Sequence, residues 1–429
     1  MKIAIAGYGA EGRANYAYWN TPEHQVVIVD EHELAPEQLP LDASVITGGG
    51  AFEKLQGFDL VVRTAGLAPR KIVTDGTIWS GTNEFFAKCP APIIGVTGSK
   101  GKGTTSSLIA SILRASGKTV HLVGNIGLPA LDTLSAITDD DIVVYELSSF
   151  QLWDLEVSPH VAVVLHIEPD HLDVHADFDE YVAAKAQIAA HQTTIDRIVY
   201  NQNNQWSVTI AEQSVGQRLP YPSERTAHVR GNYFYYGDTE LCEIDMLQLP
   251  GAHNQENACA AITAVWPWVQ EGAAIAEGLR SFDGLPHRLK FVREFDGVRY
   301  FDDSIATTPG SAIAALRAFS EPKVLILGGS SKGADFSELA EVVATQVVRE
   351  VILIGQEAPA IEAALIQAGV TQYHVLQGSV TMEQIVDEAR KTAQAGDVVI
   401  LSPSCASFDM FKNYADRGDQ FIAAVHRLV

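Results

Sequence analysis

Three α/β units in series are predicted, on three observations. Apolar strands recur along the chain and end in glycine-rich or polar loops near residues 7–12, 98–103, 328–333 and 402–407. Stretches of helical period separate those strands. The length, 429 residues, suits about three domains that each bury a core. The order of the loops makes the first unit Rossmann-like, the second a P-loop ATPase-type mononucleotide-binding unit and the third Rossmann-like. The expected boundaries are residues 1–82, 83–285 and 286–429, with ligands at the carboxyl edges of the sheets and a reaction centre between units.

The first unit opens with a strand at 2–6, the turn Gly7-Tyr8-Gly9-Ala10-Glu11-Gly12 and a helix from Arg13. A strand at 26–29 ends at Asp30. Three glycines with an acid about twenty residues on form the dinucleotide-type fingerprint, in which the acid holds a ribose or base. Glu11 is electrostatically unfavourable beside a diphosphate unless its side chain points outward, with Arg13 as the compensating charge. A strand at 59–62 continues the alternation, and the unit ends near residue 82, before a short helix at 84–87 and Pro90-Ala91-Pro92.

The second unit begins with apolar Ile93, Ile94 and Val96, then Gly98, Ser99, Lys100, Gly101, Lys102 and Gly103, then an amphipathic helix from Thr104. Free backbone N–H groups and the helix dipole make that corner an anion site, and Lys102 supplies charge for the β- and γ-phosphates of a nucleoside triphosphate. The spacing departs from a strict Walker A, because Gly103 stands where a hydroxyl residue is usual. Thr104 or Thr105 must then supply the hydroxyl for Mg²⁺. Glu146 ends an apolar strand at 142–145, where a Walker-B-type acid holds that metal.

Another strand, 161–165, leads to Glu168-Pro169-Asp170-His171 and His175. The two histidines are spaced as in a zinc pair, but no cysteine cluster or third histidine completes one. An oxygen-preferring cation with His171 as one ligand is favoured, and His175 reads as structural. Lys185, among alanines, reads from its neighbours as a surface lysine. Residues 201–250 suggest antiparallel strands. Asn254 and Asn257 lie one helical turn apart, as a helix cap or as a base-reading pair.

The third unit starts with an antiparallel pair around Asp296-Gly297, then strands at 324–327, 351–354 and 398–401 alternating with helices at 310–319, 337–347, 359–367 and 382–394. Arg288 stands at the junction, placed like an internal arginine finger. Polar loops at 302–309, 328–333 and 402–407 carry Asp303, Thr307, Lys332 and Ser407, a set suited to a small anionic substrate.

A formal net charge of −23 argues against a nucleic-acid or anionic-membrane partner. Four scattered cysteines, no signal-peptide pattern and no run of membrane-spanning length predict a soluble cytoplasmic protein. A monomer is expected.

Taken in order, the phosphate loop, Gly124-Asn125-Ile126-Gly127-Leu128-Pro129, Glu146-Leu147-Ser148-Ser149-Phe150-Gln151, Asp170-His171, His253-Asn254 with Asn257, Leu285-Pro286-His287-Arg288 and Ser402-Pro403-Ser404-Cys405-Ala406-Ser407 resemble the Mur ligase family over nearly the whole chain. The resemblance implies ATP-dependent amide synthesis through an acyl phosphate, adding glutamate (the D isomer favoured, the L isomer the alternative) to UDP-N-acetylmuramoyl-L-alanine in peptidoglycan precursor synthesis. It implies two Mg²⁺ ions, with Thr104, Glu146, His171 and Lys185 as metal residues, and it makes Lys185 the lysine that CO₂ carbamylates. Asn254, Asn257, Arg288 and Asp303 match nucleotide contacts. Gly9, Ala10, Glu11, Gly12, Asp30, Asn125 and His171 match the nucleotide-sugar site. Thr307, Lys332, Ser407, Phe408 and Tyr414 match positions around glutamate.

The chain departs from the family pattern at Gly103, Asp302 and Ile305. Gly103 is more like folylpolyglutamate synthases, but those carry the phosphate loop near the N-terminus. A NAD-dependent oxidoreductase leaves the phosphate loop, Glu146 and His171 unexplained. An inactive nucleotide-binding protein has no use for Lys102, Glu146, His171, Lys185 and Arg288 together.

Overall fold

The computed structural model describes residues 1–125, 130–172, 174–331, 333–376, 378 and 380–429. The chain divides into two compact units. One comprises Met1–Gln248 and Ala252–Phe282, the other Leu249–Gly251 and Asp283–Val429.

The first unit begins with β1 (Lys2–Ala6), α1 (Ala10–Trp19), β2 (Gln25–Asp30), β3 (Ser44–Thr47), β4 (Leu60–Arg63), β5 (Thr77–Ser80) and α2 (Gly81–Lys88). The strands pair in parallel in the order β3-β2-β1-β4-β5. Ile3 to Ala6 are fully buried, which suits a central strand covered on both faces. Helix α1 starts at Ala10, three residues before the expected start at Arg13. Extended Gly9 is its N-cap, and Gly12 lets it lie close on β1, since a Cβ there would come within 2.1 Å of the Gly7 carbonyl oxygen.

A second sheet follows: β6 (Ile93–Thr97), α3 (Lys102–Ala115), β7 (Val120–Gly124), α4 (Ala130–Thr133), β8 (Ile142–Glu146), α5 (Ser149–Leu152), β9 (Val161–Val164), α6 (Phe178–Ala190), β10 (Arg197–Asn201), α7 (Gln205–Gln213) and β11 (Gln217–Tyr221). Its order, β11-β10-β9-β6-β8-β7, is parallel throughout. The strands before and after β6 in space leave it on opposite sides, so its carboxyl end is a topological switch point. Next come the antiparallel strands β12 (Ala227–Arg230), β13 (Tyr233–Tyr236) and β14 (Thr239–Glu243), then α8 (Ala252–Val265) and α9 (Gly272–Ser281). Gly278 lets α9 approach α3, a Cβ there falling 2.4 Å from Ile112 Cα.

The antiparallel expectation for 201–250 therefore holds only for 227–243. Helix α7 escapes notice because Gln205, Ser207 and Thr209 break its apolar face, leaving Ile210 and Ala211 as its buried hydrophobics.

The second unit contains β15 (Lys290–Phe295), β16 (Val298–Asp302), α10 (Pro309–Arg317), β17 (Lys323–Gly328), α11 (Ser337–Thr345), β18 (Val348–Ile354), α12 (Ala358–Gln367), β19 (Tyr373–Val375), α13 (Met382–Thr392), β20 (Val398–Leu401) and α14 (Tyr414–His426). Its sheet runs β15-β16-β20-β17-β18-β19, with only the β15–β16 pair antiparallel. Asp296 and Gly297 both take positive φ (53° and 75°), the backbone of a tight hairpin turn. Helix α14 was not expected, because its inward face begins with Arg417 and Gly418 before Phe421, Ala424 and Val425. Among the described residues no helix is long and apolar enough to cross a membrane.

Candidate active site

The phosphate loop leaves the carboxyl end of β6 and turns into α3. Gly101 is its N-cap at φ 85°, and a Cβ on it would lie 2.5 Å from Asn257 Oδ1. Gly98 (φ 153°) passes equally close to Leu165, whose Cβ would be 2.7 Å away. Both positions demand glycine. The Ser99 N–H donates to His166 O (2.8 Å), and its hydroxyl contacts Glu168 O and Tyr181 Oη at 2.8 Å each. Lys102 curls over the loop, its Nζ donating to Gly98 O (2.9 Å) and Ser99 O (3.1 Å). Lys100 stays exposed, 3.9 Å from Glu168.

Thr105 is fully buried and donates its hydroxyl to Asn257 Oδ1 (3.4 Å). Thr104 keeps some exposure, and its hydroxyl has no hydrogen-bond partner among the described residues. Asn257 also donates to Asn254 Oδ1 (3.2 Å). Asn254 is the third residue of α8, so the helix-cap alternative does not apply.

Around this loop stand the other charged groups. Glu146, at the end of β8, is almost fully buried, and its Oε1 accepts from Asn125 Nδ2 (3.1 Å). Lys185 is 1% exposed and not at the surface, contrary to the reading from its alanine neighbours. Helix α6 turns that side inward under β6, where Nζ donates to Thr97 Oγ1 (3.3 Å) and Gly98 O (3.0 Å) over the Tyr181 ring. Burial, reinforced by Lys102, holds its pKa well below the ordinary lysine range, against the opposing charges of Asp170 and Glu146.

His171 has a left-handed backbone (φ 55°) and an exposed ring beside Phe150. His175 is buried, accepts or donates at Ser149 Oγ (2.9 Å) and stacks on Phe150, and burial lowers its pKa. That is a structural role. No group of three His, Cys, Asp or Glu side chains forms a metal cage among the described residues. A Mg²⁺ ion does not need one, since it keeps waters and phosphate oxygens beside one or two carboxylates. Glu146 and the Thr104 hydroxyl fit that donor set.

A cavity of about 430 Å³ lies beside Asn125 and the carboxyl end of β8. Ala10, Glu11 and Asn15 of α1, Ala65 and Gly66 after β4, Asn125, Ser148 and Gln151 are among its lining residues. Ser148 and Gln151 stand in a family motif but were given no role from the sequence, although a serine followed three residues on by glutamine is the capping-box signature that the structure realises at α5. Glu11 does not point outward. Its Oε2 accepts from the Ala65 N–H (2.8 Å), burial raises its pKa, and the cation facing it is Arg63, not Arg13. Asp30 lies at the end of β2 as the fingerprint requires, with Oδ2 accepting from Tyr8 N (2.8 Å) and Oδ1 from His32 N (2.9 Å). Gly9 is exposed at the mouth of this turn. Residues 126–129 and Asp173 of the expected motifs lie outside the described residues.

In the second unit, polar groups gather at the carboxyl ends of β16, β17 and β20. Asp303 accepts from Leu289 N (3.0 Å) and Ser402 Oγ (2.7 Å), and burial raises its pKa to about 7 against the pull of Arg288. Asp302 pairs with His287 Nδ1 (2.7 Å). Arg417, which sequence reasoning missed, is fully buried and donates to Ser304 and to the carbonyls of Cys405 and Ala406. Ser407 is buried, whereas the Phe408 ring is 73% exposed, with its N–H on Ser330 Oγ (3.1 Å). Tyr414 opens α14 with its carbonyl on the Ser304 hydroxyl (2.7 Å), and Thr307 is half-buried before α10. Lys332 lies outside the described residues.

Residues 96–265 match the Mur ligase middle domain, and residues 287–405 match the Mur ligase glutamate ligase domain. UDP-N-acetylmuramoylalanine–D-glutamate ligase of Symbiobacterium thermophilum is 37% identical, over 100% of this chain and 98% of that protein. The chain belongs to the Mur ligase family. Two further ligases of that name are similar: that of Acetivibrio thermocellus at 38% identity (90% of this chain, 87% of that one) and that of Clostridium tetani at 35% (100% and 97%). Solved Mur ligase structures share the fold. UDP-N-acetylmuramate–alanine ligase MurC of Thermotoga maritima superposes with TM-score 0.61 at 17% identity, covering 99% of both chains. Escherichia coli FolC in complex with DHPP and ADP gives 0.59 at 20%, over 80% of this chain and 92% of that one.

Proposed function

We propose that this Mur ligase joins D-glutamate to the alanyl carboxylate of UDP-N-acetylmuramoyl-L-alanine, with ATP cleaved to ADP and phosphate. It is an ATP-dependent acid–amino-acid ligase of peptidoglycan synthesis. The observation that carries the reading is the convergence of Lys102 and buried Lys185 on the Gly98 carbonyl, beside Glu146 and a nucleotide-sized cavity. The relatives' names supply the substrates.

The alanyl carboxylate attacks the γ-phosphorus and ADP leaves, giving an acyl phosphate. The amine of glutamate then adds to the carbonyl carbon, and the tetrahedral intermediate loses phosphate to leave the amide. Such chemistry needs positioning and charge neutralisation above all. Loop N–H groups and Lys102 hold the phosphates, and Asn254 and Asn257 brace the loop and meet the nucleotide. When bound, Mg²⁺ would be held by Glu146 and Thr104, with His171 and Lys185 at a second ion, and would supply Lewis-acid charge neutralisation. Lys185, whose ammonium form burial disfavours, would add CO₂ through its amine, forming an N–C bond and releasing a proton to leave an anionic carbamate. The turn Gly9–Gly12 and Asp30 hold the nucleotide of the sugar substrate, with Asn125 and His171 nearer its reactive end. Arg288 and Asp303 serve the nucleotide, and Thr307, Lys332, Ser407, Phe408 and Tyr414 serve glutamate. This division of labour corresponds to domains 1–82, 83–285 and 286–429, in a monomeric cytoplasmic enzyme.

Phosphate release should require ATP, Mg²⁺, UDP-N-acetylmuramoyl-L-alanine and D-glutamate together. Absence of turnover with either glutamate enantiomer would overturn the proposal; turnover with the L isomer alone would overturn its stereochemistry.

A further inference from the structure

Arg63, the last residue of β4, is 0% exposed and belongs to no motif in the sequence. Burying a guanidinium is costly unless all its donors are used. Here they are used on two different walls. Nη1 donates to the carbonyls of Thr64 (3.3 Å), Ala65 (3.4 Å) and Leu67 (3.3 Å), which closes the loop after β4 around the side chain. Nη2 donates to the Phe150 carbonyl (3.0 Å), and Nε donates to Asp154 Oδ2 (2.7 Å), with a short Nη2–Asp154 contact completing a bidentate pair. Asp154 is anchored in turn, its carbonyl accepting from Asn83 Nδ2 (2.8 Å).

Both walls face the cavity described above. Ala65 and Gly66 line one side, Ser148, Phe150 and Gln151 the other, and Arg63 itself is not part of the lining. The Phe150 ring also packs 4.9 Å from the His171 ring. We infer that Arg63 is a positioning residue that fixes the width of the nucleotide-sugar cavity by tying the loop after β4 to the segment around α5. This rests on the functional reading above. A planar fork with five donors suits the task, because it satisfies a carboxylate and several carbonyls at once, which an ammonium does not.

The experiment compares wild type, Arg63→Lys and the double variant Arg63→Met/Asp154→Leu, which replaces the pair by apolar groups and leaves Glu11 with the Ala65 N–H as its partner. Turnover is measured against each substrate, and calorimetry measures binding of UDP-N-acetylmuramoyl-L-alanine directly. The double variant should keep a cooperative unfolding transition while its KM for the nucleotide-sugar rises about tenfold, with the KM for ATP within about twofold. Arg63→Lys should recover part of the difference. An unchanged nucleotide-sugar KM and affinity in the folded double variant, or an equal rise for ATP, would overturn the clamp. If that variant does not fold, Asp154→Asn replaces it, and an unchanged nucleotide-sugar affinity there overturns the clamp equally. Wild type that binds the nucleotide-sugar without turning it over refutes the ligase reading alone, because the binding comparison still judges Arg63. Wild type that does not bind it overturns both.

Discussion

Lys185 in the first unit and Asp303 in the second are both buried ionisable groups at the carboxyl end of a parallel sheet, and burial moves them in opposite directions. Desolvation disfavours the charged form of each, so the lysine goes down and the aspartate up, to about 7. Lys185 is surrounded by groups that accept from it, the Thr97 hydroxyl and the Gly98 carbonyl, while Asp303 is surrounded by the donors Leu289 N–H and Ser402 Oγ–H. Those bonds favour the charged form of each group, so burial is what lowers the lysine and leaves the aspartate titrating near neutrality. A motif alone specifies neither outcome; the helix or loop that covers the group does.

The largest expected effect is on the lysine side. Lys185→Ala should lose activity by roughly a hundredfold or more, as expected when one preorganised charge is removed from a phosphoryl-transfer site. Part of it should return on adding a short-chain carboxylate, measured by phosphate release. Full activity in the variant would remove Lys185 from the chemistry. Next in size is Gly101→Ala, which meets Asn257 Oδ1 and forces a left-handed backbone. It should cost about 1 kcal/mol or more in denaturant unfolding and raise the KM for ATP.

The two threonines separate function from packing. Thr104→Ala should raise the Mg²⁺ concentration needed for half-maximal activity about tenfold or more. Thr105→Ala should instead lose about 1 kcal/mol of stability through its bond to Asn257. The reverse pattern would move the metal hydroxyl to Thr105.

The smallest effect is on pH dependence, and it bears on the comparison itself. Between 3.8 and about 7 the native state holds the Asp303 proton that the unfolded chain has lost. Stability from this group therefore falls as pH rises through that window, and it is flat above it. Lys185 has the opposite sign: the native state holds fewer protons, so stability rises with pH from its depressed folded value towards 10.5. Asp303→Asn should flatten the slope between about pH 4 and 7 in denaturant titrations. An unchanged slope would mean that Asp303 ionises normally in the fold.

The strand–loop–helix corner at Gly98 to Thr104 was legible because glycine spacing and strand apolarity are local. Glu146 and the hairpin at Asp296-Gly297 were legible for the same reason, whereas Asn125 stood out only through the family resemblance. Lys185 was not, because Ala183, Ala184 and Ala186 give no period that tells which face of α6 is covered. Arg63 and Arg417 were invisible for a related reason. Each occupies an inward position where a hydrophobe is expected, and its partners come from segments far away in sequence, Phe150 and Asp154 for one, Cys405 and Ser304 for the other. Glu11 was seen as a conflict, but its resolution by the Ala65 N–H and Arg63 depends on the loop after β4.

The central claim, that the alanyl carboxylate is activated by ATP at the Gly98–Lys102 corner, is tested most directly with UDP-N-acetylmuramoyl-L-alanine carrying ¹⁸O in that carboxylate. After turnover with ATP, Mg²⁺ and D-glutamate, the account predicts one labelled oxygen in the released phosphate, the one that bridged carbon and phosphorus. Unlabelled phosphate at full turnover would contradict it.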